Sequence, residues 1–187
     1  MKVLDLFCGM GGWTVPFWYA GDYCVGVDAV NSGYPAKFIK IDVRNLNGKK
    51  FRGFDLVIGS PPCSEFSISK VRNNEARKKG RNIENGLSLI REFERVVKEA
   101  EPWFYCMENV EALTKYYDKQ PQTRFMISKG GRRCLWPNIP LPSFIEFYPQ
   151  HKIREIYGWE RQRWWRSFIP YPVARFVADA VKKELIN

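Results

Sequence analysis

Asp5-Leu6-Phe7-Cys8-Gly9-Met10-Gly11-Gly12 is the stretch around which the rest of the chain is organised. Residues 2 to 7 alternate and then run apolar, the pattern of a short strand, and they stop at a cluster of glycines. The spacing predicts a helix from Thr14 to Ala20, ended by Gly21. Strand, glycine-rich turn and helix in that order are how nucleotide-type cofactors are held. The glycines let the backbone approach the ligand, and the helix N-terminus offers free N–H groups.

Moving outward, Tyr23-Cys24-Val25-Gly26-Val27-Asp28 predicts a second strand with a carboxylate at its end, about twenty residues after the glycines, where an acid can accept from ribose hydroxyls. A third strand, Phe38 to Ile41, ends in Asp42, placed where an adenine amino group can be recognised. A fourth, Phe54 to Ile58, runs into Gly59-Ser60-Pro61-Pro62-Cys63-Ser64. Two consecutive prolines fix two φ angles and remove two donors, so the turn is stiff. Cys63 is then either a small buried cysteine closing a Pro-rich turn or a side chain held at a defined angle to a ligand.

From Ser67 to Asn82 the basic residues Lys70, Arg72, Arg77, Lys78, Lys79 and Arg81 crowd a segment with Glu75 as its one acid. This is a solvated face or a loop that clamps a phosphate backbone. Residues 84 to 100 show helical spacing in Leu87, Ile90, Phe93, Val96 and Val97, with Pro102 beyond the end. Trp103 to Met107 predicts a fifth strand closed by Glu108-Asn109-Val110, and Glu108 follows Asp28 and Asp42 as a further acid at an apolar strand end. Acids at successive strand ends, with a cysteine on a further one, describe a pocket along one sheet edge.

Gln122 to Ser128 and Arg132 to Trp136 read as a hairpin turning at Lys129-Gly130-Gly131. Pro137 to Pro149 is expected to be irregular. Between Lys152 and Arg166, basic residues interleave with Tyr157, Trp159, Trp164 and Trp165, which suits a base-stacking platform as well as an amphipathic cover for the core. Val173 to Leu185 predicts a closing helix behind Pro172. There is no internal repeat and no linker, so residues 1–187 are expected to form a single domain.

Composition bounds the function. With 45% hydrophobic and 16% aromatic residues the chain is not of the disordered class. No apolar run reaches membrane-span length, and the N-terminus reads as a strand and not a signal peptide, so a cytoplasmic location with no membrane contact is expected. Five cysteines without a Cys-x-x-Cys pair suit neither a disulfide framework nor a zinc site, and no metal is expected. Thirty Lys and Arg against twenty Asp and Glu give a net charge of +10, which points to a polyanionic partner.

Taken together, these residues resemble the C5-cytosine-specific DNA methyltransferases. Asp5-Leu6-Phe7-Cys8-Gly9-Met10-Gly11-Gly12 is similar to the family's Asp-Leu-Phe-x-Gly-x-Gly-Gly motif. Asp28 and Asp42 are similar to its ribose and adenine acids, Pro61-Pro62-Cys63 to its nucleophile turn, and Glu108-Asn109-Val110 to its Glu-Asn-Val motif. Ile169-Pro170 and Val173-Ala174 resemble its last motif. The Pro-Pro-Cys turn also speaks against amino-group methyltransferases. Two departures stand out. The family's Gln-x-Arg-x-Arg begins here as Gln122-Thr123-Arg124, but Met126 occupies the second arginine position, with Arg132 and Arg133 on the next strand as candidates to supply that charge. A full target-recognition domain is also missing between residue 140 and the final helix, leaving a reduced segment at 140–168, so this resembles a short member.

The resemblance implies an α/β, Rossmann-like S-adenosylmethionine-dependent fold, a mixed and mostly parallel sheet with helices on both faces. It implies transfer of a methyl group from S-adenosyl-L-methionine, leaving S-adenosyl-L-homocysteine, to C5 of cytosine in double-stranded DNA through a covalent bond from Cys63 to C6. The base must be flipped out, because C6 is inaccessible inside a stacked duplex. Cys63, Glu108 and Arg124 take the catalytic roles. Asp5, Phe7, Cys8, Gly9, Gly11, Gly12, Asp28, Ala29, Asp42, Val43, Ser60 and Pro62 line the cofactor side. Ser64, the basic residues of 67–82, Arg132 and Arg133 face nucleic acid. Two further readings stay open: an RNA (tRNA) cytosine-C5 methyltransferase, and a nucleic-acid-binding subunit of the same fold that needs a second chain for target recognition.

Overall fold

The computed structural model describes residues 1–67, 82–128, 131–146 and 169–186. The basic run from Lys70 to Arg81, the hairpin turn at Lys129-Gly130, and 147–168 within the reduced recognition segment lie outside the described residues.

Eight strands form one sheet: β1 (Lys2–Leu6), β2 (Tyr23–Asp28), β3 (Lys37–Lys40), β4 (Leu56–Gly59), β5 (Phe104–Val110), β6 (Thr123–Ser128), β7 (Gly131–Pro137) and β8 (Phe144–Ile145). Their order is β3-β2-β1-β4-β5-β7-β6-β8. The first five run parallel, β7 is antiparallel to both β5 and β6, and β8 lies parallel to β6. The sheet is thus mixed and mostly parallel, as expected.

Val3, Leu4, Leu6, Leu56, Val57 and Ile58 are all fully buried, as befits central parallel strands covered on both sides. Alternation sends Val3, Leu56 and Ile58 to one core and Leu4, Leu6 and Val57 to the other. The first core is closed by α1 (Val15–Tyr19) and α3 (Tyr171–Ile186), which pack on each other. Helix α3 presents Val173, Ala174, Val177, Ala178 and Val181, whose small size allows close approach.

The second core is closed by α2 (Ile83–Ala100). The Asn82 side chain accepts from the Asn85 amide at its start, and Glu101, at φ 51°, ends it in the left-handed region. Its Ile90, Phe93, Val96 and Ala100 form the buried stripe, each large side chain worth about 1.5–3 kcal/mol of burial. Arg95 donates to the carbonyls of Val43 and Leu46 and so ties α2 to the segment after β3.

Two differences from the sequence reading bear on the site. Strand β5 continues to Val110, so Glu108 and Asn109 sit within it, fully buried, and not beyond its end. Residues 144–145, expected to be irregular, form β8. Two residues carry no period of their own, and what makes them a strand is the edge that β6 offers.

Candidate active site

The order reverses between β1 and β4, so the loops that follow these two strands leave in opposite directions and open a crevice. Leu6 is in register with Gly59, which brings the glycine turn and the Pro-Pro-Cys loop side by side. The loop is held from both flanks. Trp13 Nε1 donates to Ser60 Oγ at 2.9 Å, and Asn109 Nδ2 donates to the Pro61 carbonyl oxygen at 2.9 Å. Beyond it, the Cys63 carbonyl accepts from the amides of Phe66 and Ser67, and fully buried Phe66 anchors the turn in the α2-side core. Cys63 is half-buried, whereas Cys8, Cys24, Cys106 and Cys134 are buried.

One nitrogen joins the catalytic candidates. Arg133 Nη1 donates to Glu108 Oε1 at 2.7 Å and lies 4.0 Å from Cys63 Sγ. Both ends of the ion pair are almost completely buried, with 9% and 1% of the side chains exposed. Removing one partner from such a pair costs about 3–5 kcal/mol, because the other is left as an uncompensated buried charge. Burial pushes the Cys63 thiol up, the Arg133 guanidinium pulls it down, and the Glu108 carboxylate pushes it up again.

The resemblance implies a catalytic role for Arg124, and the register sends its side chain to the face opposite Glu108. Glu108 is opposite Leu135 and Val110 is opposite Arg133, so Glu108 and Arg133 leave the sheet on one face. Arg124 is opposite Cys134, whose side chain belongs to the α2-side core, and so leaves on the other. Its guanidinium lies 3.7 Å from Glu111, half-exposed, and Arg132 shares that carboxylate at 3.5 Å. Arg133 is thus the arginine that faces Glu108, whereas Met126 lies opposite Arg132, on the face that Arg124 takes.

On the other side of the crevice, Phe7 (φ 56°), Gly9 (φ 51°) and Gly11 (φ 83°) all adopt left-handed backbone. A Cβ at Gly11 would stand 2.7 Å from Pro35, so that glycine is required by packing. A Cβ at Gly9 would meet nothing within 4 Å. The turn thus has bare backbone facing open space, the cradle that a nucleotide-type cofactor needs. Asp28 braces it, accepting from the amides of Gly9 and Val30 at 3.0 and 3.1 Å, with Ala29 exposed between them.

Asp42 caps the short turn after β3 by accepting from the Arg44 amide and pairing with its guanidinium, and Val43 is buried under α2. Beneath the turn, Thr14 Oγ1 donates to Asp5 and shares a 2.5 Å hydrogen bond with Tyr34. Asp5 Oδ1 is buried and unpartnered, and burial pushes its carboxyl up to about 8. Cys8 is buried next to Asp5 and Asp28, its thiol raised by burial first and by these charges second. Gly12 is buried at the base, and Pro62 is exposed at the mouth.

Residues 1–128, more than half of the chain, match the family described as C-5 cytosine-specific DNA methylase. The chain belongs to that family. It is 31% identical over 121 residues to the type II methyltransferase M.FnuDI of Fusobacterium nucleatum, covering 60% of this chain and 33% of that protein. Over 131 residues it is 32% identical to M1.HphI of Haemophilus parahaemolyticus, with coverage of 60% and 33%. M.HgiDII of Herpetosiphon aurantiacus matches over 163 residues at 29%, covering 75% of this chain and 43% of that one. The chain spans about a third of the length of the first two of these curated relatives.

A crystal structure of a prophage-encoded E. coli protein, described as a DNA modification methyltransferase, superposes with a TM-score of 0.50 at 20% identity, covering 85% of this chain and 55% of that one. That likeness shows the fold, which is the Rossmann-like methyltransferase fold expected from the sequence.

Within this family member, the structure brings together Cys63, Glu108 and Arg133 at one side of the crevice, and the glycine turn, Asp28 and Ser60 at the other. Ser64 is exposed beside Cys63, its hydroxyl donating to Glu65 at 3.3 Å. The sequence reading missed the positioning roles of Trp13 and Asn109. Asn109 stands inside the Glu-Asn-Val motif, and its type, an amide next to the candidate acid Glu108, is the available signal.

Proposed function

We propose that this chain methylates cytosine at C5 in DNA, with Cys63 as the nucleophile. The observation that carries the proposal is Cys63 held at the sheet's switch point, with Glu108 and Arg133 sharing one contact beside it. Cytosine C5 is a poor nucleophile. A thiolate adding at C6 makes it enamine-like, which is the chemistry that a half-buried cysteine on a rigid loop can perform.

Glu108 faces the ring's Watson–Crick edge. It donates a proton toward N3 and stabilises the charge that develops as sulfur attacks. Arg133 holds the Glu108 carboxyl in place. Asn109 and Trp13 fix the loop, so that Sγ keeps its line of attack. After methylation the C5 proton is lost to a base such as water, its electrons form the C5–C6 double bond, and the sulfur leaves C6 as thiolate.

S-adenosylmethionine, whose methyl group is the one transferred, suits the bare backbone at Gly9. Gly11 shapes that turn and Asp28 braces it, with Phe7, Ala29, Ser60 and Pro62 around the mouth. Asp42 and Val43 close the far end, where the Asp42–Arg44 pair has to open for the acid to accept from an adenine. The target base reaches Cys63 flipped out of the helix. The excess of positive charge, including the basic residues of 67–82, supplies the phosphate contacts, and choice of target sequence rests on the 140–168 segment or on a second chain.

The test is transfer of labelled methyl from S-adenosylmethionine to duplex DNA, single-stranded DNA and tRNA by wild type and Cys63→Ala. Label at C5 of cytosine in duplex DNA, abolished by the substitution, supports the proposal. Label in tRNA alone would move the substrate to RNA, and label that survives Cys63→Ala would overturn the mechanism.

A further inference from the structure

Arg133 Nη1 is the meeting point of the two groups whose protonation has to change during the proposed reaction. Cys63 must give up a proton to become a nucleophile, and Glu108 must hold one to act as an acid toward the base. We propose that Arg133 is a shared counter-ion through which Cys63 hands its proton to Glu108, so that a single transfer arms the nucleophile and charges the acid. This rests on the methyltransferase reading above.

The step balances within three side chains. The Sγ–H bond breaks and its electron pair stays on sulfur. The proton forms an O–H bond on the Glu108 carboxylate, directly or through one water. Arg133 keeps its charge throughout and only changes partner, from carboxylate to thiolate. The trio carries the same net charge before and after. In a site this buried, that matters: the exchange keeps an anion against the fixed cation and avoids the desolvation cost of a lone thiolate. The difference in proton affinity between thiol and carboxylate is what the site has left to offset.

The surroundings fit this exchange. The charges that act most strongly on Cys63 from other elements are Arg133 on β7 and Glu108 on β5. On its own turn, Glu65 is committed elsewhere, accepting from Ser64 Oγ and from the Asn82 amide at 2.9 Å. Cys106, two residues before Glu108, is fully buried, and burial first and the Glu108 charge second push its thiol up, so it does not compete as a proton donor. The backbone of Arg133 is held by β7 pairing, so its guanidinium approaches both partners from one anchored position.

The exchange predicts shifts of opposite sign in Cys63 reactivity, readable without any methyl transfer. The pH dependence of iodoacetamide alkylation, followed at the Cys63 peptide by mass spectrometry, would be compared in wild type, Glu108→Gln, Arg133→Lys and Arg133→Met. Glu108→Gln keeps the shape but removes the carboxylate charge that raises the thiol, so alkylation at neutral pH should rise about tenfold. Arg133→Met should lower it by a similar factor, and Arg133→Lys should fall between Met and wild type.

Shifts of the same sign in Glu108→Gln and Arg133→Met, or an unchanged profile in Glu108→Gln, would overturn the proposal. If Arg133→Met fails to fold, the Glu108→Gln and Arg133→Lys profiles decide it alone. Methyl transfer measured on the same wild-type preparation separates the two levels. Activity with the wrong shifts would sink the proton exchange and leave the methyltransferase standing, whereas the expected shifts without transfer to any substrate would leave the exchange standing and sink the substrate assignment.

Discussion

Asn109 Nδ2 donates to the carbonyl oxygen of Pro61 across 2.9 Å, and so ties the strand that carries Glu108 to the loop that carries Cys63. Asn109 is completely buried. Asn109→Ala leaves the Pro61 carbonyl without that donor, which should lower stability by about 1–3 kcal/mol in denaturant titration. It should also reduce kcat more than it raises KM, since what is lost is the angle of the nucleophile and not a contact with substrate.

Glu108→Gln removes the proton donor and keeps the side chain's volume. Loss of general acid catalysis should lower kcat by a factor on the order of 10² to 10⁴ in a methyl-transfer assay. Cofactor affinity by titration calorimetry should stay within about twofold of wild type, because Glu108 lies on the far side of the crevice from the glycine turn.

The two glycines of the turn should separate folding from cofactor binding. Gly9→Ala places a methyl group in open space at φ 51°, costing about 1–2 kcal/mol of backbone strain but leaving the fold intact. Its main effect should be weaker S-adenosylmethionine binding, because the Cβ fills the cradle. Gly11→Ala drives a Cβ to 2.7 Å from Pro35 and should lower the melting temperature further, with the loss of binding following from the loss of fold.

Asp5 should give the protein a measurable pH dependence of stability. Its folded-state value, pushed up to about 8 mainly by burial, lies well above the ordinary carboxylate range. The folded state therefore holds a proton that the unfolded state has released. The stabilisation is complete at acidic pH and is lost as the pH rises toward 8. Asp5→Asn should flatten the slope of unfolding free energy between about pH 5 and pH 8, measured by urea denaturation.

Arg124 and Arg133 should behave differently although the sequence pattern favours the first. Arg124→Ala breaks a half-exposed pair with Glu111, a contact worth about 0.2–1 kcal/mol, and should leave the Cys63 alkylation profile unchanged. A shift of that profile as large as the one from Arg133→Met would show that Arg124 reaches the nucleophile.

What could be read from the chain follows from how local each feature is. The glycine turn, the Pro-Pro-Cys loop and the acids Asp28 and Glu108 are set by residues close in sequence, and the parallel sheet then brings them together at its switch point. Arg133 was ambiguous because its role depends on strand register. Whether a residue of β6 or β7 faces Glu108 is decided by an alternation that starts in β5, and composition does not record it. Asp42 reads as a cofactor acid and also caps its own turn, since the same carboxylate suits both. The two-residue β8 had no local signal at all.

The most direct test of the central claim is the bond between Cys63 and C6. DNA carrying 5-fluorocytosine at target positions, incubated with the protein and S-adenosylmethionine, blocks the last step, since fluorine at C5 cannot leave as a proton does. The account predicts a denaturation-resistant protein–DNA adduct that maps to the Cys63 peptide by mass spectrometry and is absent in Cys63→Ala. Methyl transfer to unmodified cytosine with no adduct on the fluorinated DNA, or with the methyl group on the exocyclic nitrogen, would contradict it.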